Sequence, residues 1–320
     1  MVPKITLCIP VYKTPLAYLE CLLESIKKQT FRDFVVVITD DSCSDDFVYD
    51  ELIAYYSDSF QINYLKNDKN LGMTGNWNKA LSFVDTECFI FLGHDDALYP
   101  DALKELYDCQ VELGASCVSS SCSYFDEHGL SIEPSFNVNY RDNIFVEKEK
   151  YSLTAREAVR LCLGNGIAFG ELTCQLFRYS HGVGYSAEFN HAADLEFFLK
   201  MVSLDNARPV GYLNRKLFMR RIHSEALTEK NYILGYVTRE RQMIFDKYVG
   251  AFDYNKNDIR YFKTYLLACA MKDILSFSSH KSYQVLREAF TTIGKNIHLG
   301  FSSYLKMILS LSSGKNMDAQ

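Results

Sequence analysis

The chain is predicted to be an α/β protein: a mainly parallel sheet flanked by helices on both faces, followed by a C-terminal helical extension. Three observations predict it. Short apolar runs of strand type alternate with helical patterns through roughly the first 125 residues. Those runs end in polar residues, at the place where open parallel sheets bind ligands. Beyond about residue 230 only helical periodicity is left.

The elements follow in order. Residues 4–9 (KITLCI) are a strand, closed by Pro10 and a turn. Leu19, Leu22, Leu23 and Ile26 recur at the spacing of one buried helical face. A second strand, 34–39, ends in Asp40-Asp41. A third, 62–65, precedes a glycine-containing loop and a helix expected near 76–84. The fourth, 88–92, ends in Gly93-His94-Asp95-Asp96, and Pro100 then opens a further helix. Later come a strand near 116–126, a helix starting at Thr154-Ala155-Arg156-Glu157 in capping-box style, a strand at 173–178 and a helix at 194–202. Helices at 231–248, 257–277 and 282–311 close the chain.

Composition narrows the function. Nearly half the residues are apolar (48%), enough for a sizeable core, and the net charge of −6 argues against nucleic acid as a partner. Ten cysteines, among them Cys8, Cys21, Cys88, Cys109, Cys162, Cys174 and Cys269, are scattered without CxxC pairs and read as small buried hydrophobes of a reducing compartment. Neither a leader-like segment nor a membrane-spanning run is visible, so a cytoplasmic protein is expected.

The acidic residues carry the chemistry. Tyr12 follows the first strand, Asp40-Asp41 the second and Asp95-Asp96 the fourth, so one site assembled from three strand ends accounts for all of them. Adjacent carboxylates repel and need a cation or a polar ligand, and a hard divalent ion, Mg²⁺ or Mn²⁺, suits oxygen donors beside phosphates. The structural alternatives are that Asp96 caps the helix opened by Pro100, and that Ser44 or Asp45 caps a helix after the second strand.

Taken together, Ile9-Pro10-Val11-Tyr12, Asp40-Asp41-Ser42, Asn70-Leu71-Gly72 with Asn76 and Ala80, and Asp95-Asp96 resemble the family 2 inverting glycosyltransferases of the GT-A (Rossmann-like) fold. Gly170-Glu171 with Leu176-Phe177-Arg178, Ala193-Asp194 and Arg221-Ile222-His223 extend the resemblance over residues 4–228. It implies a GT-A domain at 1–228, with a donor half about 1–125 and an acceptor half about 126–228, and a helical region at 229–320.

By the same resemblance Pro10, Tyr12, Asp41, Asn76 and Asp95 bind the donor, with Asp41 on the base. Asp96 and His223 hold Mn²⁺ or Mg²⁺, Glu171 and Arg178 face the acceptor, and Asp194 is the general base. A UDP-sugar donor and a glycan or lipid-linked glycan acceptor of surface polysaccharide synthesis are implied.

Two departures stand out. His94 replaces the first carboxylate of the metal motif, and Ala193 precedes Asp194 where the family has Glu. Glu196, two residues further on, points to another helical face. Asp194 as a plain helix-start residue, and His223 bound to backbone, stay open. A sugar nucleotidyltransferase or a dinucleotide-binding protein needs a glycine-rich loop after the first strand, and residues 10–16 (PVYKTPL) hold no glycine. A non-catalytic nucleotide-sugar or glycan-binding module is the alternative of a different class.

The segment 281–320 is locally basic (Lys281, Arg287, Lys295, Lys306, Lys315 against Glu288, Asp318). Its stripe of Ile297, Phe301, Leu305, Ile308 and Leu309 suits either a peripheral membrane contact or a helix packed on its own domain.

Overall fold

The first strand runs through the middle of the sheet. In the computed structural model, which describes residues 3–43, 48–132, 144–170, 172–222, 236–280 and 283–296, β1 (Ile5–Val11) is hydrogen-bonded in parallel to β2 (Phe34–Asp40) on one side and to β4 (Cys88–Phe91) on the other. β3 (Ile62–Lys66) continues the sheet beyond β2, with Asp40 opposite Lys66. Every residue of β2 is buried, as a strand covered on both faces requires.

Burial alternates along β1 and β4. Ile5, Leu7, Ile9 and Val11, with Cys88 and Ile90, face a cluster made with α1 (Leu16–Lys27), α2 (Asp50–Ser57) and α4 (Ala102–Leu113). Leu19, Leu22, Leu23 and Ile26 are the buried stripe of α1, as their spacing predicts. On the other face, Phe89 stacks on Phe177 at 5.5 Å and Phe91 meets Trp77 at 6.1 Å, while α3 (Gly72–Leu81) packs on β1 and β2.

The far half of the sheet departs from a simple parallel pattern. β9 (Gln175–Arg178) is inserted antiparallel between β4 and β6 (Cys117–Phe125). β10 (Val210–Arg221) then runs parallel to β6, with Arg221 opposite Phe125. The path is β3-β2-β1-β4-β9-β6-β10-β5, with β5 (Ala97–Leu98) at the edge, β7 (Ser131–Ile132) paired to β6, and β8 (Lys150–Leu153) paired to β10. Strands β5, β7, β8 and β10 are elements the sequence reading does not contain, and the helix after β2 starts at Asp50, beyond the Ser44 and Asp45 offered as its caps.

The described residues fall into two compact units, one of 1–155, 169–187 and 200–224, the other of 156–168, 188–199 and 225–320. The first holds the whole sheet. The second is helical: most of α5 (Ala155–Asn165), the start of α6 (Ala193–Leu204), then α7 (Tyr236–Tyr248), α8 (Lys256–His280) and α9 (Tyr283–Asn296). It therefore includes two segments, 156–168 and 188–199, that precede residue 229.

Within the second unit, Asp258 bridges Arg156 (3.1 Å) and Arg160 (2.5 Å), whose guanidinium groups hold its carboxyl below the usual range. Gly164 admits the Tyr261 ring, since a Cβ there would lie 1.9 Å from the ring edge. No helix of the described residues is long and apolar enough to cross a membrane. The apolar stripe at 297–309 lies outside the described residues.

Candidate active site

Parallel strands put their carboxyl ends at one edge of the sheet. Going outward from β1, the strand order runs to β2 and β3 on one side and to β4 on the other, so a crevice opens where it reverses. The ends of β1, β2, β4, β6 and β10 meet at this edge, and so does the start of β9, because that strand runs the other way.

At the β1–β2 end the backbone is unusual. Lys13 and Cys43, both non-glycine, lie in the left-handed region at φ 48° and 50°. Lys13 N–H donates to Ser42 Oγ (2.9 Å), and the Tyr49 hydroxyl ties down Thr14 through its N–H (2.8 Å) and carbonyl (2.9 Å). This turn leaves the Tyr12 side 49% exposed, with the Lys13 ammonium 5.4 Å from its ring, while Pro10 is half-buried inside β1. Such strained turns concentrate at functional sites.

Asp40 and Asp41 are both buried, and protein donors fill their carboxylates. Asp40 accepts from Ser42 N–H and from the Tyr64 hydroxyl, each at 2.8 Å. Asp41 Oδ1 accepts from Leu71 N–H (2.7 Å) and Asn67 Nδ2 (2.9 Å), and its Oδ2 from Gly72 N–H (2.9 Å). The Asp41 carboxylate thus caps α3, whose helix start offers unpaired N–H groups and a favourable dipole. Asn76 is turned inward as well, donating to the Val11 and Thr39 carbonyls (3.2 and 3.1 Å) and accepting from Asn67 (3.0 Å). Asp41 and Asn76 therefore frame this end of the crevice from behind.

The β4 end is built differently. Asp96 is 5% exposed and accepts Arg221 N–H at 3.1 Å, with the Thr173 hydroxyl as a second partner. The same hydroxyl accepts Gly93 N–H (3.2 Å). Burial, then the charge of Asp95, pushes the Asp96 carboxyl up to about 8. Helix α4 begins only at Ala102, with Asp101 at the capping position, so Asp96 does not cap it.

Arg221, 7% exposed, fixes the loop. Its Nε donates to the Asp95 carbonyl (3.0 Å) and its Nη1 to that of Asp126 (3.3 Å). Tyr18 and Phe125 hold the guanidinium at 4.2 and 4.3 Å from their ring centres. Gly93 lets both acids pack against its backbone: a Cβ there would lie 2.6 Å from Asp96 Oδ2 and 3.1 Å from Asp95 Oδ1.

A divalent cation fits this chemistry. The Asp95–Asp96 pair offers hard oxygen donors, and at Asp96 burial and the neighbouring acid outweigh the Arg220 charge and two hydrogen bonds. Among the described residues no group of three or more acidic, His or Cys side chains stands ready to hold a metal. His223 and Glu171 lie outside the described residues.

Arg178 requires a correction. Because β9 is antiparallel to β4, Arg178 pairs with Cys88 at the amino end of that strand and bonds Glu87 at 2.8 Å, at the opposite edge of the sheet from Asp95 and Asp96. Thr173, at the other end of the same segment, is the residue that reaches the acids. No local signal in the sequence marks it. Gly93 had one: a glycine at a strand end, one residue before two acids.

Asp194 stands in the first turn of α6, in the second unit, half-buried, with its Oδ1 accepting Leu195 N–H at 2.7 Å. Glu196 does face elsewhere: fully buried, it is bound by Lys247 (2.7 Å) and Tyr248 (2.9 Å).

Comparison with known proteins supplies the family. The sequence profile described as "Glycosyl transferase family 2" matches residues 6–181, more than half the chain. A GalNAc(5)-diNAcBac-PP-undecaprenol beta-1,3-glucosyltransferase of Campylobacter jejuni is 31% identical over 132 residues, 41% of this chain and 42% of that one. The chain spans about half the length of the curated relatives it matches.

Two solved structures share the fold. Residues 1–349 of S. aureus TarS, in complex with UDP-GlcNAc, superpose with a TM-score of 0.67 at 14% identity, covering 98% of this chain and 93% of that one. The mannosyltransferase PcManGT from Pyrobaculum calidifontis, in complex with GDP-Man and Mn²⁺, has a TM-score of 0.54 at 13% identity, covering 98% and 81%. With the profile match and the GT-A architecture in agreement, the chain belongs to glycosyl transferase family 2.

Proposed function

We propose that the protein transfers a sugar, with inversion, from a nucleoside diphosphate donor, a UDP-sugar, to a hydroxyl of a glycan or lipid-linked glycan acceptor. The observation that carries this reading is the Asp95–Asp96 pair, its Asp96 carboxyl buried beside a second acid and packed against Gly93, at the switch point of a family 2 fold. Mn²⁺ or Mg²⁺, held by Asp96 with Asp95 and His223, supplies Lewis-acid stabilisation of the leaving diphosphate when bound.

The chain's own residues do the rest. Tyr12 and Pro10 offer the nucleoside an exposed ring and a rigid edge, and Asp41 and Asn76 hold the turn behind them. Asp194 accepts the proton of the attacking hydroxyl, its carboxylate steadied at the start of α6 by the Leu195 N–H. Direct attack opposite the leaving group inverts the anomeric carbon. Peripheral membrane contact through the C-terminal helices belongs to the proposal on the strength of their sequence stripe.

A panel of UDP-sugars assayed for UDP release with and without Mn²⁺, in the absence of acceptor, tests the donor half. Hydrolysis of at least one sugar, lost with EDTA, is expected; metal-independent hydrolysis sinks the cation's role, and no hydrolysis across the panel sinks the reading in favour of a binding module. Asp194→Asn should lower turnover about 10²- to 10⁴-fold with donor binding kept.

A further inference from the structure

The carboxylate of Glu240, on α7, is fully buried and lies against the residues that lead into α6. Its Oε1 accepts the Asn190 N–H at 2.9 Å, and its Oε2 accepts those of His191 (2.9 Å) and Ala192 (2.8 Å). Three consecutive N–H groups on one acid make a strong anchor, since a buried carboxylate is tolerated only where such donors replace its water. The acid arrives from 48 residues further along the chain.

A second grip lies one turn on. Glu196, also fully buried, is bound by Lys247 and Tyr248 of the same α7. The His191 ring, next to the anchored amides, is kept neutral by burial and by the Arg241 charge, which push it down to about 4. Asp194 sits between the two grips, two residues after Ala192 and two before Glu196. Position 193, where the resemblance calls for Glu, is Ala.

We propose that Glu240 is a positioning residue for Asp194: by holding the 190–192 amides it sets where the α6 start presents that carboxylate, and so supplies from α7 the second acid that position 193 lacks. This rests on Asp194 being the general base. A base misplaced by even a fraction of an ångström loses efficiency while donor binding, made elsewhere, is untouched.

Glu240→Gln, Asp194→Asn and the double variant are compared using the UDP-sugar that turns over fastest in the panel, with hydrogen–deuterium exchange at residues 188–194 as a second readout. Glu240→Gln keeps the size but turns an NH₂ toward at least one backbone donor. Faster exchange at 190–192 and a kcat lower by about 10- to 100-fold at unchanged donor KM are expected. The loss in kcat should vanish when Asp194 is already Asn, because residues acting through one another are not additive.

Asp258→Asn, which loosens the Arg156–Arg160 pair of the same unit, is the stability control and should not split kcat from KM. Unchanged exchange at 190–192, unchanged kcat, or an equal loss in both backgrounds overturns the proposal. If Asp194→Asn itself turns over like the wild type, the base assignment has failed, and the exchange signature of Glu240→Gln shows whether the anchor survives it.

Discussion

Replacing Gly93 by alanine adds one carbon at the most sensitive point of the site. The new Cβ would lie 2.6 Å from Asp96 Oδ2 and 3.1 Å from Asp95 Oδ1. A relaxed carbon–oxygen contact needs about 3.3 Å, so Asp96 Oδ2 must retreat by about 0.7 Å. It has little freedom to do so, because Asp96 is 5% exposed and its Oδ1 is held by Arg221 N–H. Gly93 is not among the glycines at positive φ, so the penalty is steric and not conformational.

Metal-ligand distances tolerate only about 0.2 Å, and displaced or weakened support of a ligand costs about 10- to 100-fold in metal affinity. That is about 1.4 to 2.8 kcal/mol. Overpacking of the loop itself should cost about 1–3 kcal/mol of stability without metal. Titration with Mn²⁺, followed by the electron paramagnetic resonance of the free ion, measures the first effect, and urea unfolding in EDTA the second. A Gly93→Ala protein that binds Mn²⁺ within about twofold of wild type refutes the assignment of the cation to these two acids.

Arg221→Ala removes two charged hydrogen bonds and an aromatic sandwich, and should destabilise the metal-free protein by about 3 kcal/mol. Arg221→Lys should recover less than half of that, because an ammonium cannot fork between the Asp95 and Asp126 carbonyls; full recovery in urea unfolding excludes the clamp. Asp96→Asn tests the buried acid. With its folded-state value raised to about 8 against about 3.9 unfolded, the native state keeps a proton that the unfolded chain releases, so this group's contribution falls as pH rises from 4 to 8. Asp96→Asn should therefore exceed wild type in metal-free stability at pH 8.5, by a margin that shrinks toward pH 4; a margin independent of pH refutes the shift.

How much of this was legible depended on whether the physical cause was local. α1 could be read from Leu19, Leu22, Leu23 and Ile26, and the acidic strand ends from apolar runs followed by aspartates. α3 begins at Gly72, four residues before its expected start, because Asp41 caps it from 31 residues away. β10 escaped notice since Asn214, Arg215 and Lys216 interrupt its alternation, at the very irregularities in its pairing with β6. The direction of β9 is set by tertiary pairing alone. Reading its segment as site-facing along its length carried Arg178 to the wrong edge and left Thr173 unnoticed.

The two acidic pairs show why a motif and its role separate. Asp40-Asp41 and Asp95-Asp96 look alike in sequence, each two aspartates after an apolar strand. Asp41 alone accepts three protein donors, two of them from a helix start, whereas Asp96 has one backbone N–H, one hydroxyl and the Arg220 charge set against burial and a second acid. Neutralising them should therefore act in opposite directions. Asp41→Asn turns an NH₂ against donors that need an acceptor and should cost about 1.5–3 kcal/mol, with α3 fraying from its Gly72 end. Asp96→Asn relieves a buried charge that Arg220 and two hydrogen bonds only partly offset, and should stabilise the metal-free protein while abolishing Mn²⁺ binding. Urea unfolding of both variants in EDTA at pH 8 decides the matter. If both destabilise, Asp96 is part of the frame, and the distinction between a supporting pair and a reactive pair is lost.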